Sequence, residues 1–235
     1  AGRGEDKPGR LKEVKAMGWY VEEYGMAQIT ANLTNYKLTP PHIFFEEAVK
    51  DAKELNIAVG GSELVGLIPL EAMLMAAEYY IEKENLFILD EAAKIKLVVE
   101  RLGLNSVHPF KPEEKIIEYM IAEEPDEPLA SLSTRKFIEA IAARTSAPGG
   151  GSASAAIAAI GTGLSCMVAQ LTYGRRKFED LEGEMRKIIP VLNEATQNLI
   201  PMIDEDTNAF NDYINALGMP KGTDEEKAAR QTAMQ

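Results

Sequence analysis

An aspartate, a glycine triplet and a basic tripeptide are the residues of this sequence whose types and spacing suit chemistry. After Pro201, the side chains of Ile203, Phe210, Tyr213, Ile214 and Leu217 fall on one stripe of a helix, and Asp206 falls on it too. A carboxylate on a core-facing stripe is costly unless it is paired, protonated or lining a site. Asp206 is therefore either a general acid–base or the acceptor of a structural hydrogen bond. Asp204 sits about 200° around the same helix and is expected to face solvent or a partner. The run Ala147, Pro148, Gly149, Gly150, Gly151, Ser152 has almost no side chains to keep a ligand from its backbone, and Ser152 is expected to cap the helix that follows. That turn is either a cradle for a carboxylate, phosphate or polar ring, or only a tight connection between helices. Arg175, Arg176 and Lys177 follow Tyr173 and Gly174; they either complement a helix C-terminus or hold a polyanionic tail.

Other chemistries lack their patterns. There is no Gly-x-x-x-x-Gly-Lys-Ser/Thr sequence, and the glycines at 149 to 151 follow a helical pattern instead of a strand, so both nucleotide-binding fingerprints fail. His42 and His108 lie beside prolines without metal-ligand spacing, which makes them structural and implies no metal. No nucleophile elbow is present. Acid–base work by carboxylate remains. A formal net charge of -12 over 235 residues argues against nucleic-acid and membrane-surface binding. Cys166 has no second cysteine to pair with, which fits a reducing, cytoplasmic setting.

The elements that must position these residues divide in two. Gly18 to Glu23 and Ala27 to Leu38 read as a hairpin turning at Tyr24 and Gly25, with Ile29, Ala31, Leu33 and Asn35 on one buried face. Thr39, followed by Pro40 and Pro41, is expected to cap a helix to about Leu55. Ile57 to Val59 reads as a short strand, Pro69 opens a helix to about Lys83, and Asp90 caps another to Arg101. This is an α+β half, a sheet with helices packed on one face, expected over 1–121. A Pro- and acid-rich linker occupies 122–130. From 131 to 235 only helices are expected: Ser133 to Arg144, Ser152 to Tyr173, Phe178 to Leu199 bending near Pro190, Met202 to Leu217, and a last one from Thr223. Short connections make these an all-α bundle. Ala153 to Leu171 carries no charge and approaches a membrane span in length, but its small residues favour a buried helix over a span. There Ala155, Ala159 and Gly163 admit a close neighbour, and Ile160, Leu164, Met167 and Leu171 fill a second face. Both ends of the natural protein are expected to lie beyond this sequence.

With those features in view, Gly9 to Leu11, Gly18 to Tyr20, Gly61 to Pro69 and Glu84 to Leu89 resemble the C-terminal subdomain of the transferase domain in the formimidoyltransferase-cyclodeaminase family. The second half resembles the start of that family's cyclodeaminase domain through Ala147 to Ser152, Thr172 to Arg176, and Asp204 to Asp206 with Ala209 and Phe210. The resemblance implies a bifunctional folate enzyme of histidine degradation. One site would transfer a formimino group from N-formiminoglutamate to tetrahydrofolate; the other would cyclise 5-formiminotetrahydrofolate to 5,10-methenyltetrahydrofolate and release ammonia. It also implies that Pro148, Gly149, Gly150, Gly151 and Ser152 line a folate pocket, that Arg175 and Arg176 meet a polyglutamate tail, and that the acid–base aspartate lies in Asp204 to Asp206. Helical phase selects Asp206. Ser62 and Glu63 would form a wall facing an N-terminal subdomain, where the family's transferase histidine resides and which this sequence lacks. The family's homo-oligomeric ring of eight subunits is expected as well. The 235-residue piece alone is expected to lack transferase and deaminase activity. Two alternatives remain: a methenyltetrahydrofolate cyclohydrolase-like enzyme, and a non-catalytic assembly module.

Overall fold

The computed structural model describes residues 9–122 and 126–234. The chain forms two compact units, Ala1–Glu123 and Glu124–Gln235. Residues 1–8, residues 123–125 of the predicted linker and the final Gln235 lie outside the described residues.

In the first unit, β1 (Val14–Val21) and β2 (Met26–Leu33) pair antiparallel, with Gly18 opposite Ile29 and Tyr20 opposite Ala27. Gly25 closes the turn at φ 61°, its N–H bonded to the Glu22 carbonyl at 3.2 Å. Alternation puts Val14, Ala16, Ile29, Ala31 and Leu33 on one face. That face is only partly covered: Leu33 and Ala31 are half-buried, whereas Ile29 is 58% exposed. The sheet has two strands. The expected strand at Ile57 to Val59 does not form. Instead, the chain leaves α1 (Pro41–Glu54) through a left-handed Asn56 (φ 57°), and the Ile57 N–H turns back to the Ala52 carbonyl at 2.8 Å. That closure of the helix end takes the donor a ladder would have used. Thr39 does not cap α1 either; Pro40 holds the cap position, and the Thr39 hydroxyl donates to the Lys12 carbonyl at 2.7 Å, tying the helix start to the segment before β1.

The core of this unit lies between α2 (Leu70–Lys83) and α3 (Glu91–Leu102), where Met73, Ala76, Ala77 and Val98 are fully buried. Asp90 caps α3 as expected, accepting from the Ala93 N–H at 2.7 Å. Two short helical turns follow, α4 (Pro112–Lys115) and α5 (Ile117–Ile121), and between them Ile116 bridges to Ile68. Gly61 and Gly103 cross at van der Waals contact: a β-carbon on Gly103, which sits at φ 64°, would lie 2.9 Å from the Gly61 Cα.

The second unit is helical: α6 (Thr134–Ile141), α7 (Gly150–Thr172), a 3-10 turn at Arg176–Leu181, α8 (Glu182–Leu199), α9 (Met202–Leu217) and α10 (Asp224–Ala233). Ser133 caps α6, and Thr223 with Glu226 forms a reciprocal capping box on α10. The expected helix from Phe178 starts late, because Phe178 leaves helical geometry (φ -121°, ψ 25°), and α8 runs on through Pro190. α7 packs on both α8 and α9. Its small residues do admit α8 closely: Ala159 is buried, a β-carbon on Gly163 would touch Thr196, and the Thr196 hydroxyl donates to that of Thr162 at 3.0 Å. The expected second apolar face is not filled by neighbours. Ile160 (63%), Leu164 (54%) and Leu171 (54%) are exposed, and although α7 is long and apolar enough to cross a membrane, it buries only part of its surface here.

His42, on α1, is 6% exposed and stacks on Tyr79 at 4.6 Å. Among the described residues its Nδ1 has no hydrogen-bond partner, and burial pushes its imidazole below the ordinary histidine range, against the pull of Glu46. Glu46 itself accepts from Tyr80 Oη at 3.0 Å and Lys83 Nζ at 2.7 Å. An unfolded histidine takes up a proton below about pH 6.5, whereas this buried one resists it, so stability should fall as pH drops through that value. His42→Phe is expected to flatten this part of the profile in urea unfolding at about pH 7.5 and 5.5; an unchanged slope would show that His42 is not held neutral.

Candidate functional site

The glycine turn delivers a helix start that cannot satisfy itself. Gly149 holds the N-cap position of α7 (φ -123°, ψ -155°) and has no side chain with which to accept from the first turn. Ser152, expected as the cap, lies three residues further in, inside the helix and fully buried. Its role is reversed: instead of accepting from the backbone, it donates.

The acceptor is Asp206. Its Oδ2 takes the Ser152 backbone N–H at 2.9 Å and the Ser152 hydroxyl at 3.2 Å. Thr207 Oγ1 lies 3.0 Å from the same Ser152 oxygen. The carboxylate is pressed against Gly151, where an added β-carbon would stand 1.9 Å from Oδ1 and 2.3 Å from Cγ. Gly151 therefore has to be glycine to let Asp206 reach the helix end, and the positive end of α7 favours the charge it receives. Gly150, by contrast, has open space around its Cα. Pro148, joined to Ala147 by a cis peptide bond, and Gly149 are half-buried.

The phase of α9 corrects two sequence expectations. Its buried side chains are Ile203, Asp204 and Ala216, whereas Phe210, Tyr213, Ile214 and Leu217 are exposed by 37–47%. Asp206 is itself exposed, so it is not a core-facing group. Asp204, expected to face solvent, is 4% exposed; its Oδ1 accepts from the Leu129 N–H at 2.8 Å and its Oδ2 from the Ala130 N–H at 2.9 Å. With each oxygen accepting one backbone N–H, the buried Asp204 anchors the chain before α6. At 100° per residue, positions 204 and 206 cannot face the same way, and α9 turns the earlier aspartate inward.

The remaining candidates are dispersed. Arg175 and Arg176 follow Gly174 (φ 69°) beyond the far end of α7, and among the described residues neither makes an ion pair. Most of α7 separates them from Ser152 and Asp206, a span of about 30 Å from Ser152 to Thr172 at 1.5 Å per residue. In the first unit, the Ser62 hydroxyl donates to the Leu102 carbonyl at 2.6 Å and its N–H to the Gly103 carbonyl at 3.1 Å, so Ser62 secures the end of α3. Glu63 beside it is half-buried. Next to them, Phe45, Val49, Lys53, Gly61 and Arg101 line a cavity of about 650 Å³. Among the described residues, no three His, Cys, Asp or Glu side chains gather as a metal site would require.

Thr207 and the steric demand at Gly151 were not among the sequence candidates. The sequence holds no direct signal for the second, because Ser152 reads as the cap until the helix is seen to start at Gly150.

A family model described as "Formiminotransferase domain" matches residues 1–122, and one described as "Formiminotransferase-cyclodeaminase" matches 133–235. A formimidoyltransferase-cyclodeaminase of Dictyostelium discoideum is 56% identical over 224 residues, 94% of this chain and 42% of that protein. The Mus musculus protein of the same name is 48% identical over 235 residues, covering 100% of this chain and 43% of its own length. A methenyltetrahydrofolate cyclohydrolase of Methylorubrum extorquens is 37% identical over 99 residues, 42% of this chain and 48% of its own. The chain thus spans less than half the length of the two longer relatives.

Removing the Asp204 carboxylate should leave the Leu129 and Ala130 N–H groups without their acceptors. Asp204→Ala is expected to lower unfolding free energy by about 2–3 kcal/mol in urea titration, while Glu205→Ala, on the exposed side, should change it little. Equal effects of the two variants would contradict the anchoring role.

Proposed function

The chain belongs to the formimidoyltransferase-cyclodeaminase family, and from that premise we propose that its complete protein is a bifunctional folate enzyme of histidine degradation. In this reading the first unit contributes to transfer of a formimino group from N-formiminoglutamate to tetrahydrofolate. The second unit contributes to closing 5-formiminotetrahydrofolate to 5,10-methenyltetrahydrofolate with loss of ammonia, a lyase step. The observation that carries it is the Asp206 carboxylate, held at the start of α7 with Oδ2 bonded to Ser152 and Oδ1 without a hydrogen-bond partner among the described residues.

The chemistry needs such a group. Attack of N10 on the protonated formimino carbon forms the N10–C bond and leaves an extra proton on N10. The amine on that carbon must gain a proton before its C–N bond breaks and ammonia departs. Moving one proton from N10 to the amine balances the step: the cationic amidine becomes the methenyl cation plus ammonia. A carboxylate with one oxygen anchored and one available can take and return that proton. No metal is assigned a role. The exposed, bare backbone of Gly150 leaves room for the flat ring system beside Asp206.

Arg175 and Arg176 suit the carboxylates of a polyglutamate tail. Their separation from Asp206 means that a folate bound there reaches them only through a long tail or from a neighbouring subunit. A homo-oligomer, a ring of eight subunits in the fullest form of this reading, would supply such neighbours, and a cytoplasmic setting accommodates the free Cys166. Ser62 and Glu63, beside the cavity at Gly61, are proposed as part of the transferase wall. The similarity of 99 residues to a cyclohydrolase supports related folate-ring chemistry in the helical unit, while the match over residues 1–122 favours the bifunctional reading.

In the protein expressed from its complete gene, wild type should generate the absorbance of methenyltetrahydrofolate when mixed with 5-formiminotetrahydrofolate. Asp206→Asn, folded and still binding folate, should lose at least about 100-fold in rate, in line with loss of a general acid–base. Wild-type rates from the variant would remove Asp206 from the mechanism, and no product from either would favour the assembly-module alternative.

A further inference from the structure

We propose that Ser152 and Thr207 are positioning residues that form a one-way hydroxyl relay onto Asp206 Oδ2, reserving Oδ1 as the oxygen that exchanges the proton; this rests on the acid–base reading of Asp206. Ser152 was expected to touch folate. The structure gives it another occupation.

Hydrogen-bond bookkeeping sets the direction of the relay. A serine hydroxyl has one proton to donate and can accept from others. The ionised carboxylate can only accept, so at 3.2 Å Ser152 Oγ gives its proton to Asp206 Oδ2. The contact of 3.0 Å between Ser152 Oγ and Thr207 Oγ1 must then run the other way, with Thr207 donating. Thr207 to Ser152 to Asp206 is a chain in which each hydroxyl strengthens the next as a donor. The Ser152 backbone N–H, at 2.9 Å, supplies a second donor to the same oxygen.

Both donors therefore converge on Oδ2. Oδ1 stands over Gly151, where even a β-carbon would be 1.9 Å away, and has no hydrogen-bond partner among the described residues. An aspartate on an exposed helix face would otherwise rotate about its side-chain bonds and spend its lone pairs on water. Here two donors fix one oxygen, the glycine surface limits rotation, and the other oxygen is presented in one orientation. Ser152 is fully buried, so it is poorly placed to contact a ligand directly. Its contribution passes through the carboxylate, as an outer residue acts through the group that touches substrate.

The test is a kinetic cycle in the protein expressed from its complete gene, followed by methenyltetrahydrofolate absorbance. Ser152→Ala should lower kcat by about 10- to 100-fold while leaving KM for 5-formiminotetrahydrofolate within about twofold, because the lost contact is to the carboxylate and not to substrate. Ser152→Thr, which keeps the hydroxyl, should recover most of that loss, and Thr207→Val should reduce kcat in the same direction by less. In the Asp206→Asn background, Ser152→Ala should have no further effect. A rise in KM at unchanged kcat would return Ser152 to the substrate pocket and overturn the relay. So would full, independent loss in the double variant. If Ser152→Ala fails to fold, as judged by its melting curve, Thr207→Val and its cycle with Asp206→Asn decide the question on the same criteria. An Asp206→Asn enzyme at wild-type rate would instead defeat the acid–base reading itself, an outcome distinct from failure of the relay alone.

Discussion

The second unit depends on how the first turn of α7 is satisfied. Helix starts leave backbone N–H groups without internal acceptors, and most sequences answer with a serine, threonine, aspartate or asparagine at the cap. Here the cap is Gly149, and the acceptor arrives from α9, more than fifty residues later, as the carboxylate of Asp206. One interaction thereby joins a helix end to a neighbouring helix and places a charge where the α7 dipole favours it. Gly151 makes the approach sterically possible, Ser152 doubles the donors, and Thr207 completes the polar cluster. The apolar contribution to this unit is modest, since its buried hydrophobic side chains are few and many are small. The polar junction accordingly carries much of the specificity with which α7 and α9 meet.

Two aspartates separated by a single glutamate take opposite tasks because a helix separates their directions. Asp204 turns inward and spends both oxygens on the backbone ahead of α6, fixing a segment that would otherwise be a free connector. Asp206 remains exposed, spends one oxygen on α7 and keeps the other. The first arrangement resembles a cap supplied at long range and stabilises the fold. The second trades part of that stabilisation for an available lone pair, which is the form a carboxylate must take to exchange a proton. Scaffolding and the proposed proton exchange thus fall to two residues about half a turn apart on one helix.

The first unit relies more on apolar burial. Met73, Ala76, Ala77 and Val98 at the α2–α3 contact exclude water almost entirely. Around that core the chain is drawn in by backbone proximity: Gly61 meets Gly103 without side chains between them, and Ser62 donates twice to the end of α3. This brings the segment proposed as the transferase wall into a defined position although it belongs to neither a helix nor a strand. The hairpin is less enclosed, with Ile29, Trp19 and Tyr20 in contact with solvent. A two-stranded sheet offers little area to cover, and its order rests on the turn at Gly25 and the cross-strand ladder.

Local signals determined much of the element order in advance. The Gly25 turn, the Asp90 cap, the Ser133 cap, the Thr223–Glu226 box and the proline at the start of α1 are written in adjacent residues, and each acts over a few positions. The pattern of small residues in α7 likewise announced a close neighbour, which α8 proves to be. The family was legible from motifs spread over both halves. What the sequence could not express was which backbone groups would already be engaged. Ile57 reads as strand until its N–H is seen closing α1, and Thr39 reads as a cap until its hydroxyl is found on Lys12. Ser152 reads as a cap or a ligand contact until Asp206 appears on its hydroxyl. The stripe on α9 reads Asp206 as core-facing, and the structure reverses that reading: most of the stripe and Asp206 are exposed, and the buried aspartate is Asp204. Periodicity specifies the angle between side chains but not the rotation of the helix against its neighbours; that rotation depends on long-range packing and on donors in α7 and before α6. It decided which aspartate became an anchor and which kept an oxygen free, because only the assembled tertiary structure brings those donors within hydrogen-bonding distance.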